Sequence, residues 1–331
     1  MSPRRSHRRG AGTATEGQEW PPEDVRSMEQ SVGRAPSVHN TQPWSLVFGG
    51  RTASLYERAE VSLEQHDPEG RDRRISCGAA LTNLFLAVRA TGWDVELRRG
   101  PGPEEPDLVG VVTGTARREP SVLEGQRFRA ITRRSSHRRP FHEEGLAHVS
   151  RETLLAAGGS SGVGARWVTG TAEARHVAEL LGYAARVHKK DRHYQRELAM
   201  WMIDRSGRAG GAGSGFDGDD LVGEGVPGVG LTTSGTRLPE QGRLAEWIAE
   251  ESVMVLCTDS DEPSDHFRTG EALELAWLTA TSLGLVASVI TQPLHLAEVR
   301  RGLRERLGLA GEPHVLARFG HPAPVPGQRR G

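Results

Sequence analysis

The densest run of chemically capable residues is Ala35-Pro36-Ser37-Val38-His39-Asn40-Thr41-Gln42-Pro43-Trp44. Two prolines, two hydroxyls and two side-chain amides sit in a loop that leads straight into a strand-like stretch. Such a loop is stiff and rich in donors and acceptors, which suits gripping a polar heteroaromatic ligand. An ordinary structured turn has the same composition, so the run alone leaves both readings open. A second run, Arg133-Arg134-Ser135-Ser136-His137-Arg138-Arg139-Pro140-Phe141, interleaves arginines with serines. Guanidinium forks match phosphate oxygens in paired, charge-assisted hydrogen bonds. A solvated charge face or a nucleic-acid patch are the competing readings. The interleaved serines and the lack of stacking aromatics in register speak against base recognition.

Other motifs carry less. Gly213-Ser214-Gly215-Phe216-Asp217-Gly218 spells a dinucleotide fingerprint but follows no strand and opens no helix. Gly158-Gly159-Ser160-Ser161-Gly162 spells a hydrolase elbow but comes after a helix. His188 and His193 fit the polar face of a helix, and no metal site is expected. Cys77 and Cys257 sit in apolar runs and read as small buried hydrophobes without a disulfide framework.

The elements that must position these loops can be read from periodicity. Prolines and acids at Pro21-Pro22-Glu23-Asp24 mark a helix start. Trp44–Phe48 and Ala53–Tyr56 read as strands on either side of Gly49-Gly50. Cys77, Ala80, Leu81, Leu84, Phe85 and Val88 form a buried helical face within Ser76–Thr91, stopped by Gly92. Strands are expected at Val95–Leu97, Leu108–Val112, Val253–Cys257, Val286–Ile290 and Val315–Phe319. Helices are expected near Ser150–Ala157, Ala172–Asp204, Gly270–Gly284 and Leu294–Leu307. Glycine density makes regular structure unexpected over Arg205–Gly235. A faint repeat links Gly78-Ala79-Ala80-Leu81, with Gly92 after it, to Gly270-Glu271-Ala272-Leu273, with Gly284 after it.

Bulk properties narrow the function classes. The formal net charge of −1 gives no general reason to expect nucleic acid or a membrane surface as partner. No run approaches the ~18 apolar residues of a membrane helix. Met1–Gly17 is basic but has no apolar segment, so it reads as a disordered tail rather than a secretory signal, and a cytoplasmic location is expected.

The proline–serine loop closely resembles the flavin-contacting loop of the FMN-dependent nitroreductase family. The arginine–serine run resembles that family's opening motif, which sits on a helix start and holds the FMN phosphate and ribityl chain. Ordinary members carry the two motifs in the opposite order, and each flavin takes its loop from the other subunit of a dimer. The reversed order here resembles the Acg-like branch, in which two halves are fused on one chain, and the resemblance spans about Glu19 to Arg330.

What the resemblance implies is definite. The fold is expected to be α+β and nitroreductase-like, with two related halves, each with a mixed sheet and long central helices. Residues 1–18 would be a tail, 19–116 the first half, and 124–331 the second half with a lid-like glycine-rich insertion at about 205–235. FMN would be held by Pro36, Ser37, Val38, Asn40 and Gln42, by Arg134, Ser136 and Arg138, and by Val289, Thr291 and Gln292. Arg329 and Arg330 would complete the phosphate clamp. The flavin itself carries the chemistry, so no catalytic side chain is expected. The implied function is hydride transfer from NAD(P)H through FMN to a small organic acceptor such as a nitroaromatic or quinone, in a monomer that is a fused pseudo-dimer. The alternative is a protein that sequesters or stores FMN without turnover. One flavin per chain is expected, because Glu23–Ser31 offers only Arg26 and Trp167–Thr171 has no proline–serine loop to build a reciprocal site.

Overall fold

The computed structural model describes residues 19–203, 216–217 and 225–323. The expected tail, most of the glycine-rich segment, and Arg329 and Arg330 lie outside the described residues.

Helix α1 (Pro22–Val32) opens on its proline and the early acids Glu23 and Asp24. Strands β1 (Trp44–Gly49) and β2 (Thr52–Glu57) form a tight antiparallel hairpin, with Gly50 in the left-handed region such a turn requires. Helix α2 (Arg71–Ala90), β3 (Trp93–Arg99) and β4 (Leu108–Arg117) complete the first unit. Helix α3 (Val122–Ile131) follows, then α4 (His148–Gly158), β5 (Gly164–Trp167), α5 (Gly170–Lys190) and α6 (Arg192–Trp201). The two-residue strands β6 (Met202–Ile203) and β7 (Phe216–Asp217) pair in parallel. Then come the short α7 (Pro227–Gly230), α8 (Gln241–Glu250), β8 (Ser252–Thr258), α9 (Pro263–Ser282), β9 (Val286–Ile290), α10 (Ala297–Leu307) and β10 (Glu312–Gly320).

The two four-stranded sheets share one plan. Their strand orders are β1-β2-β4-β3 and β5-β8-β10-β9, so the same chain sequence of edge, centre, helix, edge, centre is used twice. Every strand pairing within them is antiparallel; the expected mixed character is confined to a parallel bridge from Ser136 to Ala287 on β9. The central helices α2 and α9 each run 20 residues and cross in the middle of the molecule. Gly78 and Gly270 are each the eighth residue of their helix. A Cβ on Gly78 would collide with the Phe267 carbonyl oxygen, and one on Gly270 with the Ile75 carbonyl oxygen. These reciprocal contacts let the two backbones touch, and they show that the faint sequence repeat is a structural one.

Where the elements differ from the sequence reading, local chemistry explains it. Helix α2 begins at Arg71 instead of Ser76, because the Asp67 carboxylate accepts from the backbone N–H groups of Asp72 (3.1 Å) and Arg73 (2.8 Å) at the open helix end. Helix α9 begins at Pro263 instead of Gly270, closed by reciprocal capping between Glu262 and Asp265. The single helix expected over Ala172–Asp204 is two, because Asp191 is extended and its carboxylate caps α6 at the N–H groups of His193 and Tyr194. The expected helix from Leu294 is a 3-10 turn (Gln292–His295) followed by α10. Helices α3 and α8 occupy stretches for which the sequence reading set out no element. Among the described residues, no helix is long and apolar enough to cross a membrane.

The chain leaving the first sheet is tied down. Arg89, fully buried in α2, donates to the carbonyls of Arg118 (3.1 Å) and Glu119 (2.9 Å) and forks onto the Glu124 carboxylate (2.8 and 3.1 Å).

Candidate functional site

A cleft open to solvent lies where the first turns of α2 meet the outgoing end of β9. Its apolar wall comes from both central helices: Ile75 and Ala79 of α2, Leu273 and Trp277 of α9. Pro36, Ser37, Val38 and His39 enter it from the proline–serine loop, and Ser288, Val289, Thr291 and Gln292 from β9 and the turn after it. Ser136 and Arg138 reach it from the segment between α3 and α4, and Gly230 and Leu231 from α7 and just beyond.

The loop is held by its own hydroxyls. Ser37 Oγ accepts from the Gln42 N–H (3.1 Å), and Ser76 Oγ accepts from the Val38 N–H (3.2 Å) while donating to the Asp72 carbonyl (2.6 Å). His39, Asn40 and Gln42 all have positive φ (46°, 54° and 46°). Non-glycine residues in this region are uncommon and cluster where the fold imposes a shape for function. His39 is buried and paired with His66 (Nε2 to Nδ1, 2.8 Å), whose own Nε2 lies 3.0 Å from the Tyr194 carbonyl. A carbonyl only accepts, so His66 carries its proton on Nε2 and its Nδ1 accepts a hydrogen bond from His39 Nε2–H. Burial pushes the His39 pKa down to about 3 and that of His66 to about 4, so both rings are neutral near pH 7.

Of the residues singled out from sequence, Pro36, Ser37, Val38, Ser136, Arg138, Val289, Thr291 and Gln292 line this one cleft. Asn40 and Gln42 do not; Asn40 is exposed, and Gln42 serves the loop through its backbone N–H. Arg134 also does not line it. Its guanidinium lies over the Trp277 ring (4.6 Å), donates to the Arg34 carbonyl (3.0 Å) and sits 3.6 Å from the Glu274 carboxylate. Glu274 is fully buried, and burial pushes it up to about 7 although Arg134 and the Asn83 side chain pull the other way.

The arginine–serine run does not open a helix, as the resemblance implied. It follows the C-terminal end of α3 and runs as extended chain along β9, with the His137 N–H donating to the Ala287 carbonyl (2.8 Å). Arg318 of β10 fixes its far end: fully buried and forked onto Glu251 (2.6 and 2.7 Å), it donates to the Arg139 carbonyl (3.2 Å) and lies over Phe141 (4.0 Å).

Asp72, His39, Ile75 and Ser76 were not singled out from the sequence. Asp72 is buried at the cleft floor, where Thr291 Oγ1 (2.6 Å) and Gln292 Nε2 (3.1 Å) both donate to its Oδ2. His295 Nε2 lies 3.2 Å from the same oxygen, within ion-pair distance but not aligned for a hydrogen bond. The alignment of Asp67 with the start of α2 was the available signal, since it places Asp72 in a first helical turn.

The repeated plan also has a counterpart of this cleft. Cleft residues Asp72, Ile75, Ser76 and Ala79 of α2 correspond, at a constant offset (264 − 72 = 271 − 79), to Ser264, Phe267, Arg268 and Glu271 of α9. These four line a pocket with Arg99 and Gly100 at the end of β3. There Glu271 stands in place of the small Ala79, and Arg99 forks onto it (2.9 and 2.8 Å). The segment preceding β5 that corresponds to the proline–serine loop is Gly159–Val163, not the expected Trp167–Thr171, and it has no proline. An ion pair occupies the reciprocal position.

No family model matches the chain. A Mycobacterium tuberculosis protein named "Putative NAD(P)H nitroreductase" is 30% identical over 314 residues, covering 94% of this chain and 89% of that protein. Another from the same organism, "Putative NAD(P)H nitroreductase acg", is 29% identical over 313 residues, covering 89% of this chain and 88% of its own length. A nitroreductase structure with bound FMN from Bacteroides fragilis aligns at 15% identity over 62% of this chain and 93% of that one, with a TM-score of 0.37. Near full-length similarity to the M. tuberculosis proteins, on two matching sheets around paired central helices, makes the chain a member of the nitroreductase family in its Acg-like branch.

Proposed function

We propose that the protein is an FMN-binding oxidoreductase of nitroreductase type, taking hydride from NAD(P)H and delivering it to a small organic acceptor such as a nitroaromatic or quinone. The observation that carries this reading is the convergence of three sequence-distant segments, 36–39, 136–138 and 288–292, on one cleft. The donor set fits FMN. Arg138 offers a cation for phosphate, Ser37 and Ser136 offer hydroxyls, and Ile75, Ala79, Leu273 and Trp277 offer an apolar wall for a ring system. Gln292 Oε1 is a buried acceptor without a partner, as a wall built for a polar ring would leave.

When bound, FMN supplies two-electron hydride acceptance and release, chemistry that no side chain here offers. The residues then have ordinary physical tasks. Arg138 and the serines would hold the polar arm, the strained loop would present Ser37 and Val38 in one fixed shape, and the apolar wall would exclude water from the ring. The fused halves would make one chain a complete functional unit.

The alternative, FMN held without turnover, draws on the placement of Gly230 and Leu231 in the cleft wall, since the chain itself closes one flank. An absorption spectrum of purified protein tests the first claim, because bound oxidised flavin is yellow. Loss of that colour on anaerobic addition of NADPH supports turnover, and its persistence supports holding. A colourless protein that takes up no FMN refutes both.

A further inference from the structure

At the cleft floor, the orientation of the Gln292 amide is fixed by its neighbours. Nε2 lies 3.1 Å from Asp72 Oδ2 and 3.3 Å from the His66 carbonyl oxygen. Both partners only accept, so these positions must hold the two N–H bonds. Reversing the amide would set oxygen against a carboxylate and a carbonyl. Oε1 is therefore committed to face elsewhere, and there it has no partner; the side chain is 5% exposed and lines the cleft. A buried carbonyl oxygen left without a donor is unfavourable, and a ligand N–H would remove that penalty.

Asp72 can do this work only as a carboxylate. Burial, the largest single influence, favours its neutral form, yet the charge of His295, the Thr291 hydroxyl and Arg71 together outweigh it. The net effect holds Asp72 below the usual carboxylate range, and the same pairing lifts His295 above the usual imidazole range against its own burial.

We propose that Gln292 Oε1 is the acceptor for an N–H of the flavin ring, and that Asp72 is the positioning residue that holds the amide in that orientation. This rests on the FMN reading above and adds the polarity of the contact and the residue that enforces it. The isoalloxazine ring carries an N–H at N3 in every redox state and another at N5 only when reduced, so either can be the donor.

The test uses apoprotein titrated with FMN and with N3-methyl-FMN, followed by fluorescence quenching, together with the midpoint potential of the FMN-loaded protein. The wild type is compared with Gln292→Leu and Asp72→Asn; the new amide of the latter can donate to Oε1 and turn Gln292 round. If N3–H is the donor, the wild type binds the methylated analogue about tenfold more weakly than FMN, and both variants lose that preference. If N5–H is the donor, the wild type shows no such preference and both variants have a lower midpoint potential. General damage to the fold reproduces neither pattern. Wild-type affinity, preference and potential in both variants overturn the proposal. A shift in Gln292→Leu with none in Asp72→Asn overturns the role of Asp72. A wild-type protein that binds no FMN overturns the flavin reading and this assignment with it. Should Asp72→Asn fail to fold, Gln292→Leu still decides the acceptor.

Discussion

Removing the Arg138 side chain should weaken FMN binding, whereas removing Arg134 should not. The two arginines are four residues apart in the same run, and only Arg138 lines the cleft. Losing one charged hydrogen-bond partner to a phosphate costs about 1.5–3 kcal/mol, or roughly 10- to 150-fold in affinity. Arg134 is engaged elsewhere, over Trp277, on the Arg34 carbonyl and beside buried Glu274. Arg134→Ala would leave Glu274 without its nearest cation and Trp277 without its cover. Its cost should therefore appear as about 1–3 kcal/mol of stability. Fluorescence titration of apoprotein with FMN reads the first quantity and urea unfolding of the same preparations reads the second. The expected pattern is that Arg138→Ala loses the FMN affinity that Arg134→Ala keeps. A large affinity loss in Arg134→Ala beside an unchanged Arg138→Ala would refute the assignment of the phosphate partner.

Glu274 should make stability fall as pH rises. Its folded pKa of about 7 exceeds the ordinary 4.5, so its contribution is fully present below 4.5 and is lost as pH passes through 7. The shift corresponds to a change on the order of 3 kcal/mol, which Glu274→Gln should remove from urea midpoints compared at pH 5 and pH 8. Flavin absorbance against protein concentration should give one FMN per chain, because the Arg99–Glu271 pair fills the reciprocal pocket; two per chain would contradict that account. Gly270→Ala should cost about 1–3 kcal/mol in the same unfolding assay, since its Cβ meets the backbone oxygen of Ile75. An unchanged midpoint would mean that the central helices can separate without loss.

The sequence made parts of the candidate site legible where the cleft is built from short, chemically unusual loops. Pro36–Val38 and Ser136–Arg138 stand out as residue types that ordinary turns do not concentrate, and their meeting in one cleft was implied by resemblance rather than by pattern. Asp72, Ile75 and Ser76 were hidden because the start of α2 depends on Asp67, four residues before the helix, accepting from two backbone N–H groups. That is a tertiary arrangement that periodicity does not register. The choice between Arg134 and Arg138 was equally closed to sequence, since alternation cannot say which arginine faces a ring 143 residues downstream at Trp277 (277 − 134). The two-sheet plan was visible only as a weak echo between Gly78 and Gly270. What those glycines encode is a contact between helices, and only the paired backbones make both copies necessary.

The Arg89 clamp on the connection after β4 has a consequence for how this molecule behaves when it is scarce. A site assembled from two separate subunits empties as the protein is diluted below its dissociation constant. Here the segments that build the cleft belong to one covalent chain, and the carbonyls of Arg118 and Glu119 are anchored to the first sheet's central helix. Meeting of the two halves is an intramolecular event with a fixed effective concentration. The cleft should therefore persist at any number of copies per cell, down to a single molecule.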